Sequence, residues 1–137
     1  MAKTLKLKLV QFNQALDTLN EALKKETDQF IRDSVIKRFE YSFELCWKTA
    51  KLFLSEYLGI EVFSPKQTFR ELRKNQMTSE KDTVLLLQMT NDRNQIIHDY
   101  NEKYSDEICK TIRFSYYAAM QRILRTLEEE NGENANL

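Results

Sequence analysis

The chain has 137 residues, 42% of them hydrophobic and 31% charged, with two glycines and one proline. That length suits one domain with a single continuous core, and the scarcity of turn residues excludes a β-sandwich or barrel, leaving an all-α class. Lys plus Arg equals Asp plus Glu at 21 each, so no overall positive field gathers nucleic acid, and any basic site has to be local.

The N-terminus MAKTLKLKLV alternates lysine with leucine instead of presenting an apolar signal core. No window holds about 18 uninterrupted apolar residues, so the expectation is a cytoplasmic protein with no membrane partner. A first helix is expected from Leu5 to Leu23, where Leu5, Leu9, Phe12, Leu16, Leu19 and Leu23 form one apolar seam. A second begins near Asp28 to Phe30 and runs to Leu58. Its seam is Ile36, Phe39, Phe43, Cys46, Ala50, Phe53 and Tyr57, and Gly59 follows where a left-handed residue closes a helix. At 1.5 Å per residue it is about 42 Å long, the spine of a bundle.

Ser64-Pro65-Lys66-Gln67 specifies a helix start, with a serine cap, a proline at the first helical position and a glutamine able to reach back. This short third helix reaches about Lys74 and has one basic side. Ser79 caps a fourth helix carrying Glu80 and Asp82 in its first turn. The last helix is expected from Ser105-Asp106-Glu107, burying Ile108, Ile112, Ser115, Ala119, Ile123 and Leu127 or their neighbours, and fraying at residues 128–132. Residues 1–130 thus form one helical domain and 131–137 a disordered tail. Four long helices and one short one pack most simply as an antiparallel four-helix bundle with an extra helix at one end. Aromatics beside the seams, among them Tyr41, Trp47 and Phe114, call for a second buried face, which a homodimer supplies. Trp47 and the tyrosines of the last helix are read first as core or dimer packing and second as bases' stacking partners.

Cys46 and Cys109 lie in apolar helical stretches without a CxxC pair, and read as buried reduced thiols. With one histidine in the chain, a thiolate and imidazole metal cage lacks ligands, so neither a metal nor another cofactor is expected.

The fourth helix ends in NDRNQIIHDY, Asn91 to Tyr100, which contains that histidine. Asn94 and His98 share a face, whereas Arg93 lies about 140° away around an ideal helix. One reading is a solvated helix end, with His98 on the helix dipole and Arg93 paired to Asp92 or Glu80 in water. The other is a site: an imidazole to move protons, a guanidinium to hold a phosphate, and carboxamides to orient a substrate, which are the parts of phosphodiester cleavage without a metal. On the second helix Glu40, Glu44 and Lys48 recur at four-residue steps, as an exposed charge strip or, if that helix is central in a dimer, with Glu44 placed as a partner for Arg93.

The stretch Arg93 to Tyr100 resembles the R-x-x-x-x-H-x-Y motif of HepT-like proteins in the HEPN superfamily. The segment Arg32 to Lys48, containing RFEYSFELCWK, is similar to the long helix of nucleotidyltransferase substrate-binding proteins, as are Ser64-Pro65-Lys66 and the spacing from there to DRN. The likeness spans roughly Phe12 to Leu127. It implies a homodimeric HEPN-like bundle acting as the toxin of a toxin-antitoxin pair, a metal-independent endoribonuclease with Arg93 and His98 catalytic and Asn94 and Glu44 binding or orienting. It also implies a minimal nucleotidyltransferase as partner, which attaches AMP to Tyr100. The alternative it leaves is a non-catalytic, nucleotide-binding subunit of a two-component nucleotidyltransferase.

Overall fold

A computed structural model describes residues 2–98 and 101–135, with side chains described from residue 4 to residue 132. The described residues are helices joined by short connections: α1 (Ala2–Leu23), α2 (Gln29–Leu58), α3 (Pro65–Lys74), α4 (Glu80–His98), α5 (Glu102–Thr111), a π-helical turn (Ile112–Tyr116) and α6 (Tyr117–Ala135). The last three are continuous, so five rods are present among the described residues, and none is long and apolar enough to cross a membrane.

Local chemistry sets the helix ends. Asp28 accepts from the Ile31 backbone N–H at 2.8 Å to start α2, and Gly59 closes that helix at φ 64°. Ser64 accepts from the Gln67 N–H at 3.2 Å, while the Gln67 carboxamide reaches back to the Phe63 N–H at 2.9 Å. Ser79 accepts from the Asp82 N–H at 3.0 Å. The last rod starts earlier than Ser105, at Glu102, because Asn101 caps it by accepting from the Tyr104 N–H at 2.9 Å. Ser105 is instead buried inside the helix, its hydroxyl donating to the Asn101 carbonyl at 2.7 Å. At the other end α6 runs on to Ala135, through most of the stretch expected as tail. Tyr57 Oη donates to Asn131 Oδ1 at 2.7 Å and fastens that turn to α2.

Cross-links fix the directions of the rods. Arg32 at the start of α2 pairs with Asp106 of α5 at 2.7 Å, and Tyr57 at its end meets Asn131, so α2 and residues 102–135 run parallel. Arg113 donates to the Leu23 carbonyl at the end of α1, and Asp82 of α4 pairs with Arg122, while Asp92 further along α4 meets Tyr104 and Tyr116. Thus α1 and α4 run antiparallel to the other two, which makes a four-helix bundle with α3 as the extra short element. The core lies where the seams meet: Leu5, Phe12, Leu19, Phe39, Phe43, Cys46, Leu54, Phe69, Leu72, Leu86, Ile112 and Met120 are all fully buried or nearly so.

The π turn has no signal in the hydrophobic periodicity. It widens the helix so that the Tyr117 N–H bonds to the Ile112 carbonyl, and it puts Tyr116, instead of Ser115, into the core against Phe39, with ring centroids 5.8 Å apart. Phe114, on the outside of the turn, is 79% exposed.

Candidate functional site

The polar end of α4 divides into an inward and an outward half. Arg93 points in: its Nη1 donates to Glu44 Oε1 of α2 at 2.6 Å, and its guanidinium carbon lies 5.1 Å from the centroid of the Phe43 ring. The charge-assisted bond and the aromatic face both restrict the guanidinium plane. Glu44 is held in turn by Lys48 Nζ at 3.2 Å. Arg93 Nε is buried and has no acceptor among the described residues, a donor left over for a ligand or a water. Arg93 therefore pairs with Glu44, not with Asp92 or Glu80 in solvent.

Asn94 and His98 point out. Both are exposed, and Ile97 beside them is 59% exposed. His98 is the last residue of α4, at the negative end of the helix dipole. Within one chain the structure brings Glu44 and Arg93 together and leaves Asn94 and His98 facing solvent. Tyr100 lies outside the described residues.

A further residue in this stretch, Asp92, has a structural role that its sequence neighbourhood does not announce. Tyr104 Oη donates to Asp92 Oδ1 at 2.7 Å and Tyr116 Oη to Oδ2 at 2.5 Å, so one carboxylate ties α4 to α5 and to the π turn. Burial, reinforced by these bonds to an anion and by its charge, pushes both phenols well above the ordinary tyrosine range. The two cysteines follow the same physics. Burial raises the Cys46 thiol strongly and pushes Cys109 up to about 11, against the opposing influence of Arg113 and Arg32. Neither thiol is poised as a nucleophile. No group of three or more His, Cys, Asp or Glu that could hold a metal ion occurs among the described residues.

Trp47 is half-buried against the core, with Lys51 Nζ 5.9 Å from its ring centroid. Its indole Nε1 is buried without an acceptor among the described residues.

The chain is thus a helical bundle whose fourth rod ends in this arginine, carboxamide and histidine set, backed by a carboxylate from the second. Comparison with known proteins narrows the class. The family described as nucleotidyltransferase substrate binding protein like matches residues 7–129, and the chain belongs to it. A solved structure from Thermus thermophilus is 34% identical, with a TM-score of 0.80 over 85% of this chain and 98% of that one. A tri-AMPylated Shewanella oneidensis HEPN toxin in complex with MNT antitoxin superposes with a TM-score of 0.76 at 17% identity, covering 91% of this chain and 96% of the toxin. A structure of the toxin-antitoxin pair MntA-HpeT carrying the D39ED41E mutation gives 0.76 at 16% identity, covering 91% of this chain and 97% of that one. At those identities the two toxin structures share the fold. No curated protein matches the chain in sequence.

Proposed function

We propose that the protein is a HepT-like toxin, a dimeric, metal-independent endoribonuclease regulated by a cognate minimal nucleotidyltransferase. The observation that carries this reading is Arg93 anchored on Glu44 five residues before a solvent-exposed His98 on the final turn of α4. An arginine fixed before substrate arrives loses little freedom on holding a phosphate, and an imidazole can both take and give a proton. In the reaction His98 removes the proton from the ribose 2'-hydroxyl, O2' attacks the adjacent phosphorus, and the P–O5' bond breaks. The products are a 2',3'-cyclic phosphate and a 5'-hydroxyl, whose proton comes back from the imidazolium. Arg93 balances the charge that builds on the phosphoryl oxygens, and Asn94, one turn before His98, orients the imidazole or the substrate.

Because Arg93 points inward and His98 outward, a working pair takes the arginine from one chain and the histidine from the other. Ile97, 59% exposed on the last turn of α4 beside His98, supports a dimer contact at this end of the helix. AMP on Tyr100, two residues beyond His98, adds charge and bulk beside the site and silences it. Purified protein in EDTA should cut single-stranded RNA, and His98→Ala should abolish cutting with the fold intact. Since His98 is the only histidine, no second imidazole confuses the result. A gain of one AMP mass on the peptide holding Tyr100, after incubation with the partner and ATP, tests the regulation; label on Tyr104 alone refutes it.

The family description favours a second reading, a non-catalytic subunit that binds nucleotide for a partner nucleotidyltransferase in the cytoplasm. It predicts no RNA cleavage by clean wild-type protein.

A further inference from the structure

At the other end of α4, about 28 Å from His98 by helix rise, an open cleft of about 440 Å³ separates the α3–α4 connection from α6. Ligand sites of this size hold a molecule as large as a nucleotide. Three arginines from two helices line it, Arg73 of α3 and Arg122 and Arg125 of α6, against one carboxylate, Asp82. Asp82 is buried and grips Arg122 through Nε at 2.7 Å and Nη2 at 2.8 Å, which fixes the guanidinium and leaves Nη1 free to donate. Arg73 and Arg125 have no ion pair among the described residues. A net positive recess with one guanidinium held rigid and two unpaired is complementary to a phosphate, which forks with arginine bidentately.

One backbone feature also lies at the cleft. Gln76 is the one non-glycine residue with positive φ among those described, at 60°. It closes α3 as a Schellman turn, its N–H on the Arg73 carbonyl at 3.0 Å and the Met77 N–H on the Leu72 carbonyl at 2.9 Å. Glycine would hold that turn without strain, whereas glutamine is strained there and brings a carboxamide to the cleft wall. Met77 and Ile123 add apolar surface for a base.

We infer that this cleft is a nucleotide-binding site, with Arg73, Arg122 and Arg125 on the phosphates and Gln76 on a polar edge of the ribose or base. It is separate from the Arg93 and His98 set and does not depend on the ribonuclease reading. Isothermal titration of the full chain with AMP, ATP and inorganic phosphate tests it, in wild type, Arg73→Ala/Arg125→Ala and Arg93→Ala. Both arginines replaced are exposed, so the double variant should fold, and circular dichroism checks that it does. Saturable binding of AMP or ATP is expected, tighter than that of inorganic phosphate, weakened about a hundredfold in the double variant and unchanged in Arg93→Ala. Absence of saturable nucleotide binding to wild type, equal affinity in the double variant, loss in Arg93→Ala instead, or inorganic phosphate binding as tightly as the nucleotides would each overturn the assignment.

Discussion

Replacing Tyr116 by phenylalanine removes one oxygen and leaves the ring stacked on Phe39. The lost bond, from a hydroxyl on a residue 2% exposed to Asp92 Oδ2 at 2.5 Å, is a hydrogen bond to an anion shielded from solvent. Such bonds contribute about 1.5–3 kcal/mol, so Tyr116→Phe should cost about 2 kcal/mol. Tyr104 is less buried, and water can replace its hydroxyl, so Tyr104→Phe should cost about 1 kcal/mol. Asp92→Ala removes both bonds and strands the buried Tyr116 hydroxyl, so it should cost more than either tyrosine change, about 3 kcal/mol. The assay is urea unfolding at fixed protein concentration. With a slope of about 2 kcal/mol per molar, the Tyr116→Phe midpoint should fall by about 1 M. A cycle over Tyr104, Tyr116 and the double variant should be non-additive, since both hydroxyls share one carboxylate. A Tyr116→Phe midpoint within about 0.2 M of wild type at unchanged slope would refute the view that this carboxylate fastens the end of α4.

Alkaline pH should weaken the fold through the same groups. Tyr104, Tyr116 and Cys109 all have folded-state values raised above their ordinary ones, so their contributions are complete below those ordinary values and fade as pH rises through the folded ones. The urea midpoint should decline from about pH 9, where the Cys46 and Cys109 thiols ionise in the unfolded chain while the folded ones stay protonated, and Cys109→Ser should lessen that early decline and leave the Cys46 part. Gly59 sits at φ +64° with open space where a methyl group would stand, so Gly59→Ala should cost about 1 kcal/mol from backbone strain alone, read as a lowered thermal midpoint. Arg93→Ala should lose about 1–2 kcal/mol with its Glu44 bond and its packing on Phe43, whereas exposed His98→Ala should stay within about 0.5 kcal/mol of wild type. Equal destabilisation by the two would contradict the inward and outward division of the motif.

The helices and most of their caps are legible in the sequence because both are local. Apolar spacing of three and four places Leu5 to Leu23 and Ile36 to Phe53 inside, and Asp28, Gly59, Ser64 and Ser79 act through atoms a few residues away. The Asn101 cap is hidden because Ser105 is also a capping type; which of them starts the helix depends on Ser105 being buried by its neighbours. The π turn, the Asp92 cluster and the Asp82–Arg122 pair are registers between rods, fixed only when α4 packs on residues 102–135, and periodicity along one helix carries no trace of them. At the candidate site, residue types and spacing single out Arg93, Asn94, His98 and Glu44. Helical geometry also separates Arg93 from His98 around the rod, and the structure adds what holds the arginine: Glu44 on one edge and Phe43 beneath.

Under the proposed function each cleavage site joins the Arg93 of one chain to the His98 of another. The direct measurement is RNA cleavage in EDTA by an equimolar, re-equilibrated mixture of Arg93→Ala and His98→Ala proteins, each inactive alone. With the site shared between chains, half of the dimers carry one complete site, and the mixture should recover about a quarter of wild-type activity. A mixture as inactive as its components, from subunits shown to exchange, would contradict the account.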